Sequence, residues 1–252
     1  MKRKTILLFL LLMISFPGRV QAGADPAALL HTANEYYLKG DYSSALNFYR
    51  KVLDSGIENG KVYYNLGNAL FRMGKVGEAI CNYLLARQLI PRDEDLAANL
   101  AYARHEVEDR IEPLSSGMIR EIFFWYDRLS VKEMAQIFLV CYLLCWLSLV
   151  ARLFSRRPAI NWLLLLSLGF GIAMGGSAAL RTISSHLHKP AVVIVQQVAV
   201  QSGMDPASVT LFVLHDGVEV SIERMSGDWS LISLASGKKG WVKKEHLRLA
   251  ML

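Results

Sequence analysis

Two long apolar runs constrain this chain more than any other feature. Met134 to Val150 is apolar except for Gln136 and Ser148, and Ile160 to Leu180 is apolar except for Asn161 and a few serines. At about 1.5 Å rise per residue, each run as a helix can cross about 30 Å of hydrocarbon. The 252-residue chain is 53% hydrophobic with a mean hydropathy of +0.27, and the excess sits in these blocks. The pattern predicts membrane helices over 131–152 and 159–181 and a connecting loop over 153–158. Arg152, Arg156 and Arg157 flank or occupy that loop around Pro158, with no acid, so the positive-inside rule places it in the cytoplasm.

The N-terminus agrees with that topology. Lys2, Arg3 and Lys4 precede an apolar stretch from Ile6 to Ile14, then Pro17-Gly18 and Val20-Gln21-Ala22. This reads as a signal peptide over 1–22 cleaved after Ala22, with an uncleaved anchor as the alternative. Both flanks of the membrane hairpin are then extracytoplasmic. Residues 113–130 include the aromatic-rich MIREIFFWYDRL, whose Trp125 and Tyr126 suit a helix lying on the outer leaflet. In the second span Gly171, Gly175 and Ala179 recur every four residues. They let another helix approach closely, either the first span or a partner's.

The net charge is +6, but the basic residues cluster at the N-terminus, beside the apolar runs and near the C-terminus. That arrangement orients a membrane protein and argues against a nucleic-acid partner. Cys81, Cys141 and Cys145 form no disulfide framework. Neither the Cys141/Cys145 pair nor His186-x-His188 has a neighbouring Cys, Asp or Glu to complete a metal site, so no metal or cofactor is expected. With no G-x-S-x-G, H-E-x-x-H, phosphate-binding glycine loop or nucleophile–base signature, the reading is non-enzymatic.

Residues 23–112 carry an internal repeat of period 34: Ala33 and Gly67, Asn34 and Asn68, Gly40 and Gly74, Ala45 and Ala79, Tyr49 and Tyr83. The second unit supplies Tyr63, Leu66, Gly67, Leu70, Ala79, Tyr83, Ala86 and Pro91, and so resembles the tetratricopeptide pattern. Small residues let paired helices touch, and aromatics fill the gaps between them. Gly40 and Gly74 are expected to end the first helix of each pair, with Asp41 capping the next. A third unit starting at Asp93 reads as a terminal capping helix. The resemblance implies a concave peptide-binding face, on which Asn34, Tyr64, Asn68, Phe71, Arg72 and Tyr102 are the candidate protein-binding residues. The lysines that carboxylate-binding members use are replaced by Leu30, Tyr64 and Ala98.

After the second span the pattern changes to short alternating runs. Strands are expected over 192–201, 209–214, 218–225, 229–234 and 240–243, with turns at Ser202-Gly203, His215-Asp216-Gly217, Ser226-Gly227-Asp228 and Ser236-Gly237-Lys238. Gly227-Asp228-Trp229 and Gly240-Trp241-Val242 make residues 190–249 resemble bacterial SH3 domains. Such a resemblance implies an adaptor for peptides or cell-wall peptidoglycan. Trp229 and Trp241 then either fill the small barrel or form its ligand platform.

The expected architecture is therefore a multidomain membrane protein. It combines an all-α tetratricopeptide repeat, a two-helix transmembrane hairpin and a small all-β SH3-like barrel. That order resembles the BatE-type proteins of Bacteroides aerotolerance operons. The resemblance implies an accessory scaffold in envelope integrity or oxidative-stress tolerance. Its implied partners are von Willebrand factor A-type membrane proteins, with a MoxR-type ATPase acting indirectly. A peptidoglycan-binding adaptor and a membrane sensor are the alternatives.

Overall fold

A computed structural model describes residues 25–109, 123, 125–155, 157–187 and 189–252. The expected signal peptide and most of the expected interfacial helix lie outside the described residues.

Residues 26–105 run up and down as successive helices: α1 (Pro26–Leu38), α2 (Tyr42–Asp54), α3 (Gly60–Arg72), α4 (Val76–Leu89) and α5 (Glu94–His105). The side chains of Asp25, Asp41, Asn59 and Asp93 each accept a backbone N–H from the first turn that follows, fixing four helix starts. Gly40 and Gly74, 34 residues apart, close α1 and α3 with φ of +80° and +75°, where a side chain would be strained. Between the helices, Ala33, Ala45, Ala79, Ala86 and Ala103 are fully buried, and Tyr49 and Tyr83 fill the space around them. A Cβ at Gly67 would stand 2.6 Å from the Tyr83 ring, so these helices meet only because residue 67 is glycine. In the third unit the equivalent Ala101 is exposed, with no aromatic residue of a following described helix over it.

The chain after residue 188 forms one antiparallel sheet of β1 (Lys189–Val193), β2 (Gln197–Gln201), β3 (Thr210–His215), β4 (Glu219–Ser226), β5 (Trp229–Ser233), β6 (Lys239–Lys243) and β7 (Leu247–Leu249). Its order is β3-β2-β6-β5-β4-β1-β7. The single strand expected over 192–201 is two. β1 pairs with β4 and β7, whereas β2 pairs with β3 and β6, so the chain must turn a corner at residues 194–196. β7 was not anticipated, because three residues after the Lys244–His246 turn carry no readable alternation. Val193, Val198, Val200, Ile222, Ile232 and Val242 form the centre of the inner face.

The sheet packs directly on the helices, chiefly on α4. Val192 and Ala250 belong to the helical core, and Val107 touches both cores. Gln88 Nε2 donates to the Ala250 carbonyl at 2.9 Å, and the Cys81 thiol donates to the Leu249 carbonyl at 3.3 Å. Arg104 makes a two-pronged ion pair with Glu219 (2.6 and 3.0 Å), and the His215 N–H donates to Asp109 at 2.8 Å. At the start of α4, Lys75 supplies no side-chain cap. Asp216, in the β3–β4 turn, instead places its carboxylate against the N–H groups of Val76 and Gly77. Burial pushes the Asp216 carboxyl above its ordinary range despite those donors. A Cβ at Gly77 would collide with Asp216 and with the Val193 carbonyl. α5 is the last helix of the repeat, and the sheet adds a second cover. The flank of α4 is shielded by the sheet, and the segment after α5 is held against it.

Trp125–Arg128 is a single turn, α6; α7 (Val131–Phe154) and α8 (Pro158–Leu187) are each long and apolar enough to cross a membrane. Both overrun the expected spans, and α8 continues six residues beyond 181. Met134, Cys141 and Ser148 recur every seven residues as the buried seam of α7, facing Ser167, Gly171 and Met174 of α8. A Cβ at Gly171 would lie 3.3 Å from Cys141, and one at Gly175 would lie 2.8 Å from the Phe138 ring. Gly171 and Gly175 thus lie against the first apolar helix. Ala179 is exposed, outside the seam. Ser130 and Glu133 form a capping box at the start of α7, and Arg92 pairs with Glu133, tying the helical repeat to the apolar hairpin.

Two predictions follow from this packing. Burial pushes the Cys81 thiol up to about 12, leaving it protonated under the sheet. In a Cys141→Ser/Cys145→Ser background, alkylation of Cys81 therefore reports detachment of the sheet. Gly77→Ala and Asp216→Ala should both accelerate it, the latter by losing a cap worth about 1 kcal/mol, while Asp216→Asn should change it little. An unchanged rate in both alanine variants would contradict the docking. At α5, hydrogen bonds from Lys61 and the Leu96 N–H hold the Asp93 carboxyl below its ordinary range. Its stabilisation is present above the ordinary aspartate value and is lost as pH falls through the lowered one. Exchange protection of the Leu96 amide should fall in that window and be flat with pH in Asp93→Asn.

Candidate protein-binding groove

The helices that open each pair, α1, α3 and α5, form one face, and its polar residues repeat as the chain does. Tyr49 donates its hydroxyl to Asn34 Oδ1 at 2.7 Å, and Asn65 Nδ2 donates to the same oxygen at 3.2 Å. One repeat later, Tyr83 donates to Asn68 Oδ1 at 2.8 Å and Asn99 Nδ2 donates to it at 2.9 Å. Asn99 Nδ2 also reaches the Tyr64 hydroxyl at 2.9 Å. Each central oxygen thus carries two donors, which fixes the amide orientation and leaves the NH2 group as the part able to meet a ligand. Asn65 and Asn99 were not among the sequence-named residues, although their 34-residue spacing was the available signal.

Tyr64, Asn68, Phe71, Arg72 and Tyr102 come together around one cavity of ≈ 470 Å³, which Tyr37, Tyr83 and Asn99 complete. Asn34 sits one repeat away, outside this lining. Phe71 and Tyr102 meet edge to face at 5.6 Å, and Tyr102 is 59% exposed. Arg72 is the only charged residue in the lining, and the Tyr37 hydroxyl accepts from its guanidinium, reinforcing its positive charge. Burial pushes the Tyr83 hydroxyl well above the ordinary tyrosine range, so it remains a donor to Asn68. The cavity is therefore aromatic-walled, singly cationic and edged by fixed amides. Such a surface can hold an extended chain by backbone hydrogen bonds and side-chain stacking.

Trp229 and Trp241 lie elsewhere. Their strand neighbours Ser230, Ile232, Gly240 and Val242 point inward and are buried, so alternation turns both tryptophans outward, where they are half-buried. They line the outside of the sheet and are not its core. His188 lies outside the described residues, and no group of three potential metal ligands occurs among the described ones.

Comparison with protein-family models and with curated proteins matches this chain to none of them.

Asn68→Ala should leave the buried Tyr83 hydroxyl without an acceptor and destabilise the repeat by about 1–3 kcal/mol. Tyr83→Phe in the same background should recover part of that loss. Chemical denaturation followed by tyrosine fluorescence checks both, and additive effects of the two substitutions would contradict the network.

Proposed function

We propose that this chain is a non-enzymatic membrane-anchored scaffold, in which a tetratricopeptide domain and an SH3-like domain work together on the extracytoplasmic side. The observation that carries this reading is the groove over α1, α3 and α5. It has an ordered amide network and an aromatic wall, and it stays open while the sheet covers the flank of α4. Two helices able to cross a membrane, joined by a short arginine-bearing loop, support an anchor with almost nothing inside. The 34-residue period and the repeated caps support the tetratricopeptide identity. The order of parts supports a BatE-type role, with von Willebrand factor A-type membrane proteins as partners in an envelope-integrity or aerotolerance assembly. A MoxR-type ATPase would act through those neighbours.

The test is crosslinking and affinity purification of the full chain from its native membrane. A-domain membrane proteins should be recovered with the native chain. They should be lost with Arg72→Ala and Tyr102→Ala, both on the exposed groove wall, at unchanged expression. Recovery of wall-synthesis enzymes alone would favour the peptidoglycan adaptor over this reading.

A further inference from the structure

The register of the sheet shows which end of it faces back toward the apolar hairpin. Arg181 of α8 donates to the carbonyls of Tyr126 (3.0 Å) and Leu129 (2.7 Å), beside Ser130 at the start of α7. This marks one level at the outer end of the hairpin. From Arg181 to Leu187, α8 rises a further ~9 Å, and only residue 188 separates it from β1. α5 gives the direction that β1 then takes. Its base is held where Arg92 pairs with Glu133 in the first turn of α7, and its far end where Arg104 pairs with Glu219. Glu219 stands opposite Val192, so β1 runs away from the hairpin. β4 is antiparallel to it and comes back. It passes Lys189 at Ile222 and continues four residues to Ser226, ~13 Å further, to about the level of Arg181.

The chemistry of that returning end fits its position. Met225 is 38% exposed at the tip, on the face of its partner Ser230, and Trp229 with its partner Lys243 faces outward on the other side. The Lys244 N–H donates to the Asp228 carbonyl at 2.8 Å, which fastens Lys243 and Lys244 to the same end. Asp228 and Glu245 share this end, and Glu245 pairs with Lys243 at 3.6 Å, so the surface is zwitterionic with an apolar and aromatic tip, not polybasic. The end of the sheet thus offers an apolar Met on one face and amphipathic Trp and Lys side chains on the other, the residue types that suit the boundary between headgroups and acyl chains.

We propose that the β4–β5 hairpin tip, Met225 to Trp229 with Lys243 and Lys244, rests on the outer leaflet, making the lipid surface a direct ligand of the sheet domain. This rests on the two-span reading. The contact holds the sheet, and the groove docked to it through α4, at a set height and tilt above the bilayer.

The test places the photo-crosslinker p-benzoylphenylalanine at Met225, at Ser236 in the opposite β5–β6 turn, or at Leu143 in the middle of α7. The full chain is irradiated in vesicles of phosphatidylcholine and phosphatidylglycerol, and phospholipid adducts are quantified by mass spectrometry. Adducts at Met225 and Leu143, with Met225 many-fold above Ser236, are expected. Adducts at Leu143 alone, or equal yields at Met225 and Ser236, would overturn the proposal and leave the spans intact. A protein adduct at Met225 in place of lipid would also overturn it. Adducts at none of the three would remove the two-span reading and the proposal together.

Discussion

Outside the apolar hairpin, the structure depends on the burial of α4 between the neighbouring helices and the sheet. Ala79, Tyr83 and Ala86 pack among the neighbouring helices, while Gly77, Ile80 and Cys81 meet the sheet. A helix with buried residues on two flanks needs a neighbour on each, and only a strip at Arg87 is left exposed. Here the helical repeat encloses one half and β1 and β7 the other. Gly77 permits the approach and Asp216 supplies the helix start with the acceptor that Lys75 lacks. The sheet is thus part of the structural unit that makes the repeat stable, and the helical repeat and the sheet are best treated as one body.

Covering the flank of α4 leaves the face of α1, α3 and α5 as the open side of the repeat. On that face the asparagines hold the stack together. Their oxygens bind Tyr49 or Tyr83 and the next repeat's asparagine, so they stitch the stack together before any ligand arrives. The groove is therefore pre-organised, which lowers the ordering cost of binding. Ion pairs at both ends of α5, Arg92 with Glu133 and Arg104 with Glu219, connect hairpin, repeat and sheet in sequence.

The repeat was legible in the sequence because it is periodic, and the apolar hairpin because its two runs are long and almost free of charge. Helix ends at Gly40 and Gly74, the cap at Asp41 and the close approach at Gly67 all follow from local chemistry repeated at a fixed spacing. Five of the six residues that the tetratricopeptide resemblance named line the cavity, while Tyr37, Tyr83 and Asn99, which complete it, were not named as site residues. What could not be read was long-range. Residues 194–196 look like strand interior until the change of partners, from β4 and β7 to β3 and β6, requires a turn. Ala179 continues a four-residue spacing that the seven-residue seam of α7 and α8 does not follow. Trp229 and Trp241 carry no sign of which face they occupy until their buried neighbours are known. The docking of the sheet rests on a glycine in one domain and an aspartate some 140 residues later, and the spacing between them has no local signature.

The central claim, that repeat and sheet form one body around α4, is tested most directly by a pulsed electron paramagnetic resonance distance measurement. Spin labels would be placed at exposed Leu38 on α1 and exposed Ser236 on the sheet, in the full chain in lipid nanodiscs. The account predicts a single narrow distance distribution that a groove ligand leaves unchanged. A broad or multimodal distribution would contradict it, because it would mean that the sheet moves independently of the helices.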